Sequence, residues 1–513
     1  MSVDTLRENF HINRISSDLL QDFLTAQTYR PEITLAKEKL LKLPHTVLQN
    51  LCNKPIRQGK SPKYAEKGLK CIKPRNTVDL LVSLNDIDYI DPSTENDISN
   101  QCLAYGDIVI TRSGSGTIGR ASIFSFNEKI YTNDHLFIVR VSKADSHYVV
   151  SFLKSYYGAR LLEAGISGST GQLNLSNEHI KQLIIYAPHT LVQKYIGEKV
   201  REAELLLSWS RSVINKWQNS FKQMYPSTDA YNIYKTSSYK LTTRQIAEVL
   251  TPESYPPEVE KYFQENSYLT LGEMSECIYT GKTLEPSFES SCVSQATSRS
   301  CSGMFFKNPM NKVETSDRVK PLKVKDLVLT NAAHEKSYIG KDVTFNHSND
   351  YVLPSAKVLV IRIKEDKLPI SYIHSYLMTG HGYIQWQSIV RGISAGIHPS
   401  DVARIRVPLP INESDYQKMV DADELFIRAG LANQVSKQLN EVAVKLIEAL
   451  IEGIITEEEL IQAQNTLEQG DNSLDRAILS QMTEEGYAVA GSKPLFADLD
   501  EFYELLEQAK ELE

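Results

Sequence analysis

The 513-residue chain has no long apolar run and only six cysteines. No run approaches the roughly 20 apolar residues that cross a bilayer. The first residues, MSVDTLRENF, lack a basic stretch followed by an apolar core, so a secretory signal is not expected. The cysteines form no C-x-x-C pair and no histidine lies at zinc-finger spacing, which favours reduced structural thiols over a metal site. These absences predict a cytoplasmic protein that contacts no membrane and holds no metal.

Common catalytic motifs are also missing. Gly281-Lys282-Thr283 suggests a phosphate-binding loop, but Glu276 stands where that loop requires its first glycine. The chain has no H-E-x-x-H, no H-R-D, no D-F-G and no Asn/Asp-Pro-Pro-aromatic sequence of base-methylating enzymes. The histidines are scattered, as the positions of His135, His179, His334 and His398 illustrate. We therefore expect a chain without catalytic residues and without a cofactor of its own.

The sequence contains two divergent copies of one unit, whose period of roughly 220 residues is too long for a solenoid repeat. Six short motifs recur in the same order and at a nearly constant spacing. The pairs are Tyr29–Ile33 with Tyr255–Val259, Gly59–Ser61 with Gly281–Thr283, Gly106–Thr111 with Lys325–Thr330, Ile118–Arg120 with Ile339–Lys341, Phe137–Val141 with Leu359–Ile363, and Gly165–Ser167 with Gly392–Ser394. One such match is weak evidence, but six in one order predict an internal duplication.

The stretch ITRSGSGTIGR at Ile110–Arg120 has the G-x-G-x-x-G spacing of a dinucleotide-binding loop, and Asp134 lies about where a ribose-binding carboxylate belongs. Such a loop must open a helix, because the pyrophosphate lies at the helix N-terminus. The residues that follow alternate and are rich in aromatic and β-branched types, which predicts strands. The second copy, across 330–341, keeps only the Ile-Gly-basic end. We therefore predict a strand, a variable loop and a turn.

Each copy ends in a long helical pattern with a heptad repeat and no internal proline. In the first copy the repeat comprises Ile196, Val200, Ala203, Leu207, Ser210, Ile214, Trp217 and Phe221. In the second it comprises Leu431, Val435, Leu439, Val442, Leu446 and Ala449. Two equivalent narrow seams favour an antiparallel coiled coil of about 50 Å over two helices that each pack on their own domain.

The predicted fold class is α/β, with two mixed α/β domains joined by two long antiparallel coiled-coil helices in a pseudo-twofold internal repeat. An acidic helical extension follows, because the residues from Gly453 onward include fifteen Asp/Glu and three Lys/Arg. The net charge is −8, so the rest of the chain carries +4. The extension could dock a partner, shield a basic surface or serve solubility. The predicted boundaries are 1–188 (domain 1), 189–224 (helix 1), 225–412 (domain 2), 413–452 (helix 2) and 453–513 (extension).

Several runs resemble the target-recognition domains of type I restriction–modification specificity (S) subunits. They are Gly106–Arg120, Ile56–Tyr64, Ser169–Ser176 and, in the second copy, Leu271–Thr283. The resemblance covers about residues 1–452, but is weak across 330–341 and excludes the extension. It implies a non-catalytic subunit that reads a bipartite sequence in double-stranded DNA. The long helices would space the two domains and bind DNA methyltransferase (M) subunits, whose cofactor is S-adenosylmethionine, and a translocating nuclease (R) subunit is a further implied partner.

Lysine and arginine suit phosphate oxygens, arginine suits guanine, and asparagine or glutamine suits adenine. The candidate DNA contacts in copy one are Lys60, Lys63, Arg75, Arg112, Ser115, Arg120, Gln172 and Asn174. In copy two they are Lys282, Asn331, His334, Lys336, Lys341 and Arg391. Arg112 and Arg120 lead because they flank the loop between predicted strands, whereas a single lysine is also compatible with a solvated surface charge.

Two alternative functions are compatible with the same residues. The chain could recognise DNA within a different multi-protein anti-phage defence complex that lacks classical restriction activity. It could also be a protein-interaction scaffold without DNA binding, which the negative net charge favours.

Overall fold

The fold was obtained as a computed structural model. It describes Ser17, Leu20, 26–114, 116–168, 173–225, Lys240, 252–287, 292–307, 311–392, 395–410 and 412–511. The described residues divide into two compact units. Unit 1 contains those up to Leu206 together with Val435–Glu511, and unit 2 contains those within Leu207–Gln434. The predicted domain boundaries remain predictions.

The described residues form fourteen α-helices. They are α1 (Pro31–Leu41), α2 (Ser146–Lys154), α3 (Tyr156–Ala164), α4 (Asn177–Lys181), α5 (Thr190–Met224), α6 (Pro257–Glu265), α7 (Leu271–Met274), α8 (Ile370–Leu377), α9 (Gly380–Ser388), α10 (Pro399–Val402), α11 (Glu413–Glu452), α12 (Glu457–Glu468), α13 (Ser473–Ser480) and α14 (Leu499–Lys510).

The same residues form twenty-one strands, so the predicted mixed α/β class is confirmed. They are β1 (His45–Val47), β2 (Arg57–Gln58), β3 (Tyr64–Ala65), β4 (Leu69–Ile72), β5 (Asp88–Ile90), β6 (Ile108–Thr111), β7 (Ala121–Ile123), β8 (Ile130–Thr132), β9 (Leu136–Val139), β10 (Ile166–Ser167), β11 (Asn174–Leu175), β12 (Ile184–Tyr186), β13 (Tyr268–Thr270), β14 (Ser275–Thr280), β15 (Val293–Ala296), β16 (Asn311–Val313), β17 (Leu327–Thr330), β18 (Thr344–Phe345), β19 (Val352–Pro354), β20 (Val358–Ile363) and β21 (Arg406–Pro408).

Unit 1 is built around two four-stranded sheets, with strand orders β2-β9-β6-β7 and β3-β5-β4-β8. The first is antiparallel, and in the second β4 and β8 are parallel. Strands β6 and β9 are buried along their whole length, as expected for short β-branched runs covered on both faces. Val109 and Ile138 of the first sheet share one apolar core with Ile72 and Ile130 of the second. Two smaller sheets, β1-β12 and β10-β11, complete the unit.

Unit 2 has a four-stranded sheet of order β14-β20-β17-β18 and a three-stranded sheet of order β16-β15-β19. Strands β15 and β19 are parallel. Val328 and Val360 of the larger sheet share a core with Ala296 and Val352 of the smaller one. A two-stranded sheet pairs β13 with β21.

The two long helices contact each other within each unit. In unit 1 the N-terminal part of α5 lies against the C-terminal part of α11, and Ser436 Oγ donates to the Ala203 carbonyl at 2.7 Å. In unit 2 the remaining parts meet, and Ser210 Oγ donates to the Ala429 carbonyl at 2.8 Å. Alanine and serine at these positions leave room for the backbones to approach closely.

Candidate nucleic-acid interface

The Gly-Lys pair after β2 lies against the start of β9. The Gly59 amide donates to the Leu136 carbonyl at 3.4 Å. A Cβ on Gly59 would lie 2.6 Å from the carbonyl oxygen of Asn133, so this approach requires glycine. Lys60 follows and is exposed. The glycine of this pair therefore provides a close backbone contact that leaves the lysine in solvent.

Gln101 fixes the backbone of Lys60. The Lys60 amide donates to Gln101 Oε1 at 2.6 Å, and Gln101 Nε2 donates to the carbonyls of Lys60 and Thr132, at 3.0 and 2.7 Å. Gln101 is buried, so its amide joins the two segments as a backbone bridge would. Sequence reasoning missed this residue, because a glutamine in a polar 3₁₀ segment carries no motif.

Arg112 is held on both sides by backbone hydrogen bonds. Its amide donates to the His135 carbonyl at 2.8 Å, and its carbonyl accepts from the Leu175 amide at 2.9 Å. The next residue, Ser113, forms a β-bridge with Asn174, and its Oγ is hydrogen-bonded to His135 Nδ1 at 2.6 Å. The fold therefore brings together Arg112 and Asn174, which are distant from each other in the sequence.

Together, Gly59–Lys60, Arg112–Ser113, Asn133–His135 and Asn174 define the polar edge of unit 1. The edge follows from the strand order, because β9 lies between β2 and β6 and Leu136 pairs with Thr111. The half-exposed Arg112 has no hydrogen-bond or ion-pair partner on its side chain among the described residues. His135 belongs to this edge, although the sequence offered it only as one scattered histidine.

The glycine loop is a strand-to-strand connection. It joins β6 to β7, so the predicted absence of a following helix is confirmed. The Thr111 amide donates to the Arg120 carbonyl at 2.8 Å, and the Gly119 amide donates to the Thr111 carbonyl at 2.9 Å. Gly116 and Gly119 have φ of +68° and +81°, the left-handed region that favours glycine. The Arg120 guanidinium donates to the Gly116 carbonyl at 2.9 Å and so closes the loop on itself.

Two other candidates of copy one are ion-paired with aspartates. Lys63 Nζ lies 2.8 Å from Asp91 Oδ2, and this ammonium hydrogen bond lowers the pKa of Asp91 to about 2. Arg75 donates to Asp88 Oδ2 at 2.5 Å and also to the Asp86 carbonyl. Both cations are exposed but would have to exchange these partners to reach a phosphate. The candidates Ser115 and Gln172 lie outside the described residues.

Unit 2 has an edge of the same construction. The Gly281 amide donates to the Val358 carbonyl at 3.1 Å, and a Cβ on Gly281 would lie 1.9 Å from the Pro354 carbonyl oxygen. Lys282 is exposed, and its carbonyl accepts from Gln295 Nε2 at 3.1 Å. We call Gly281–Lys282, Asn331–Ala332, Pro354–Lys357 and Gly396 the polar edge of unit 2.

Asn331 anchors the loop that follows β17. Its amide donates to the Lys357 carbonyl at 3.1 Å and its carbonyl accepts from the Ile397 amide at 2.9 Å. Its side-chain Nδ2 donates to the Ala356 carbonyl at 3.0 Å, and Oδ1 is buried. This side chain points into the protein, whereas base recognition by asparagine uses both of its polar atoms.

The remaining candidates of copy two are exposed. His334, Lys336 and Lys341 lie on the loop after β17, and Lys341 Nζ is 5.9 Å from the centre of the Tyr338 ring. Arg391 is ion-paired with Asp401, and its amide donates to the Gly396 carbonyl at 2.8 Å. The fold therefore gathers these candidates around one loop, but leaves Arg391 paired within the protein.

Two further observations concern only the described part of the chain. It holds no cluster of three or more His, Cys, Asp or Glu side chains that could ligate a metal ion. None of its helices combines the length and the apolar character that crossing a bilayer requires.

No family model matches the sequence, and no curated protein matches it. Among solved structures, the chain is similar to the type I restriction–modification S subunit from M. genitalium, with 10% identity, 81% of this chain and 96% of that chain covered, and a TM-score of 0.41. It is also similar to the HsdS subunit from Thermoanaerobacter tengcongensis, with 12% identity, 80% and 97% covered, and a TM-score of 0.26. A structure concerning complex assembly and conformational transition of the type I system gives the same figures.

These neighbours are structures of type I specificity subunits, and the likeness extends over most of the chain.

Proposed function

We propose that the chain is a non-catalytic DNA-recognition subunit. It reads a bipartite sequence in double-stranded DNA, one half with each unit, and directs associated methyltransferase subunits and a translocating nuclease subunit. The observation that carries the proposal is that the polar edge is built twice, with the same backbone contacts and with different side chains.

The equivalence of the two edges holds residue by residue. Arg112 contacts the backbones of His135 and Leu175, and Asn331 makes the same contacts with Lys357 and with Ile397. Each of these three positions in copy one is related to its equivalent in copy two by nearly the same spacing as the sequence motifs. The first four-stranded sheet of unit 1 and the four-stranded sheet of unit 2 also share one strand order, with β2-β9-β6-β7 corresponding to β14-β20-β17-β18. These matches support a duplicated domain.

A carboxylate at the start of one helix gives independent support, because the two units supply it from different places in the sequence. In unit 1 Asp145 caps α2, and a Cβ on Gly197 of α5 would lie 2.5 Å from Asp145 Oδ1. In unit 2 the equivalent helix α8 follows Pro369, and Asp423 of α11 accepts from the amides at its start, including Ser371 at 2.7 Å. Asp423 occupies the position of α11 that corresponds to Gly197 of α5. Each unit thus places one carboxylate at the start of this helix. In unit 1 the carboxylate belongs to the residue before the helix, and in unit 2 it belongs to the long helix.

The long helices suit a spacer. Ala203 and Ser210 of α5 recur at the same separation as Ala429 and Ser436 of α11, and each serine donates to the other helix's alanine. The repeated contact supports an antiparallel coiled coil. The 35 residues of α5 would span about 50 Å, or about 15 base pairs at 3.4 Å each.

The candidate DNA contacts can be ranked by the exposure of their side chains and by whether those side chains are ion-paired within the protein. Lys60 on unit 1 and Lys282 and Lys336 on unit 2 are exposed, and Arg112 is partly exposed. Among the described residues the side chains of these four cations have no ion-pair partner. Exposed cations at strand ends are placed to neutralise phosphates, which supplies most of the affinity for DNA. Asn174 forms a β-bridge with Ser113, the residue after Arg112, and its side-chain amide suits a base edge.

The test is a selection on random duplex DNA with the methyltransferase subunit present. We expect a two-part sequence with a fixed gap, since two units read it from a spacer of constant length. Arg112→Ala should weaken binding and reduce the slope of log affinity against log salt by up to about 0.9 for one lost phosphate contact. The matched control is Lys42→Ala, an exposed lysine of unit 1 away from the polar edge. A continuous motif, or equal effects of the two substitutions, would contradict the proposal.

A second candidate is DNA recognition within an anti-phage complex that lacks classical restriction. It is favoured by the extension, which lies beyond the resemblance and folds as helices α12 to α14 on unit 1. The two candidates differ in their partners, so purification of the assembled complex and identification of its catalytic subunits would separate them.

A further inference from the structure

The loop after β17 presents an aromatic side chain to solvent, because Tyr338 is 56% exposed. This tyrosine lies in a short 3₁₀ turn, in which its amide donates to the Glu335 carbonyl at 3.2 Å. The Ile339 amide donates in the same way to the Lys336 carbonyl, at 3.0 Å. We call Lys336–Lys341 the tyrosine turn.

Helix α9 holds the backbone of the tyrosine turn in place. Gln387 Nε2 donates to the carbonyls of Lys336 and Ile339, at 3.1 and 2.7 Å. Tyr383 Oη donates to the Ser337 carbonyl at 3.1 Å. The turn is therefore ordered before a ligand arrives, and a ligand that binds there does not have to offset the entropy of ordering a loop.

The equivalent turn of unit 1 uses its side chains within its own loop. With the spacing that matches the two Ile-Gly-basic sequences, Thr117 corresponds to Tyr338. The Thr117 hydroxyl donates to the Gly114 carbonyl at 3.2 Å, and the Arg120 guanidinium donates to the Gly116 carbonyl at 2.9 Å. From the same position, unit 2 directs an aromatic ring to solvent.

Two cations flank the exposed ring. Lys341 Nζ lies 5.9 Å from the centre of the Tyr338 ring, and Lys336 precedes the ring in the turn. Both lysines are exposed, and neither has an ion-pair partner among the residues that the structure describes. The carboxylate of Glu335 accepts from Ser337 Oγ at 3.4 Å. Lone apolar side chains are common on protein surfaces, but a fixed ring between two such cations suits nucleic acid, whose phosphates attract the cations while the ring reaches a base.

A cavity of about 390 Å³ lies beside the ring. Its apolar walls come from Tyr338, Met378 and Tyr383. Thymine is the one base that presents a methyl group in the major groove, and proteins read this group by apolar contact. The walls of the cavity therefore suit thymine better than the polar edges of the other bases.

We propose that Tyr338 contacts the 5-methyl group of a thymine in the major groove and thereby determines one base pair of the half-site that unit 2 reads. The inference rests on the proposed function and adds a specificity-determining residue to it. Lys336 and Lys341 contact phosphates and hold the turn against the groove. The methyl group is buried between Tyr338 and Met378, so a base without it binds less tightly.

The test uses the full-length chain with the methyltransferase subunit present. Its affinity is measured for the selected target and for targets in which one thymine at a time is replaced by deoxyuridine, which removes only the methyl group. One such replacement should weaken binding by the wild type about fourfold, as expected for one buried methyl group. Tyr338→Ala should bind the unmodified target about tenfold more weakly and should no longer distinguish the two bases at that position. Tyr338→Phe keeps the ring and should behave as the wild type.

Two control variants separate a base contact from a phosphate contact and from a general effect of the surface. Lys336→Ala should reduce the slope of log affinity against log salt by about 0.9, whereas Tyr338→Ala should leave the slope unchanged. Tyr351→Ala replaces a tyrosine of unit 2 that is 52% exposed and lies outside the turn, so it should leave binding unchanged. Trp386 packs against the turn, since a Cβ on Gly340 would lie 2.2 Å from Trp386 Cγ. Unchanged tryptophan emission therefore verifies that the turn of each variant is intact.

Three results would overturn the inference. Equal affinities of Tyr338→Ala and the wild type for the unmodified target would exclude a contact. Sensitivity to deoxyuridine that persists in Tyr338→Ala would assign the methyl group to another residue. Weaker binding by Tyr338→Ala without any methyl-sensitive thymine would assign the ring to another feature of the DNA. In all three cases the wild type binds a specific sequence, so each is distinguishable from a failure of the proposed function, in which the wild type selects no sequence.

Discussion

Replacing Asp475 with asparagine should detach the acidic extension from unit 1. The carboxylate accepts from Lys199 Nζ at 2.9 Å, Tyr195 Oη at 2.5 Å and Tyr503 Oη at 2.6 Å. Asparagine keeps the size of the side chain and one acceptor oxygen, but removes the charge. Of the described residues, only Glu202, at 3.0 Å, would then remain as an ionic partner of Lys199.

The expected loss of stability follows from the burial of this ion pair. Removing one member of a buried ion pair typically destabilises a protein by about 3–5 kcal/mol, because the other charge stays desolvated. Since Glu202 still faces Lys199, we expect a loss at the lower end, about 3 kcal/mol. In the triple variant Lys199→Met/Glu202→Gln/Asp475→Asn the cation and both of its carboxylates are gone, so the triple variant should lose less than Asp475→Asn alone.

The assay is pulse proteolysis in urea, with release of the C-terminal segment as the signal. The three tryptophans, Trp209, Trp217 and Trp386, all lie in unit 2, so their fluorescence reports on that unit and should not change. Asp500→Asn is the matched control, because its ion pair with Arg476 is exposed and should contribute little. The ion pair would be refuted as the anchor if Asp475→Asn released the extension at the same urea concentration as the wild type, or if the triple variant were the weakest of all.

The same cluster sets a pH range for docking. Burial alone would raise the pKa of Asp475, but Lys199 and the hydroxyls of Tyr195 and Tyr503 outweigh burial and lower it. A depressed carboxyl pKa gives stability that is present above the unfolded value, about 3.9, and lost as pH falls through the folded value. Burial lowers the pKa of Lys199, yet its two carboxylates raise it overall, so its contribution is lost only above its ordinary pKa. Burial raises the pKa of Glu202, which is therefore protonated before Asp475. The extension should stay docked from about pH 4 to about pH 10 and be released in stronger acid.

The remaining predictions concern a glycine and the buried thiols. Gly281→Ala should destabilise unit 2 by about 1–3 kcal/mol, because the new Cβ meets the Pro354 carbonyl oxygen and the backbone must shift; an unchanged tryptophan-fluorescence transition in urea would contradict this. Burial raises the pKa of Cys71 and of Cys301 to about 12 each, so neither thiol should react with iodoacetamide at pH 8 unless urea is added. Modification of either thiol in the native protein, detected by mass spectrometry, would show that its cover opens.

Local patterns in the sequence were enough to predict the fold class and the strands that follow the glycine loop. The alternating residues after Gly119 predicted strands, and strands β7 to β9 follow it. The extension was predicted to be helical, and helices α12 to α14 form there. The buried position of Asp475 was not predictable, because its partners Lys199 and Tyr503 lie 276 and 28 positions away in the sequence. A charge count treats such a carboxylate as solvated surface.

For the candidate DNA contacts, too, the sequence predicted some features and missed others. Residue type made both Arg112 and Arg75 candidates, and the position of Arg112 beside the loop between predicted strands ranked it higher. Their side-chain pairing was not predictable, because Asp88 arrives from β5 to pair with Arg75 while no described residue pairs with the Arg112 side chain. Gln101 was not predicted for a related reason, since it holds the backbone of Lys60, a residue distant from it in the sequence.

The opposite behaviour of Arg112 and Asn331 follows from the same physics. The backbone at both positions is fixed by hydrogen bonds to two neighbouring segments, so the position tolerates a change of side chain without a change of fold. No described residue pairs with the Arg112 guanidinium at the polar edge, whereas Asn331 uses its amide to hold the Ala356 carbonyl. Under the proposed function, DNA recognition by unit 2 then depends on the exposed Lys282 and Lys336 and on other loop residues. We therefore expect the two halves of the target to differ in sequence, because one scaffold presents cations from different positions of its loops.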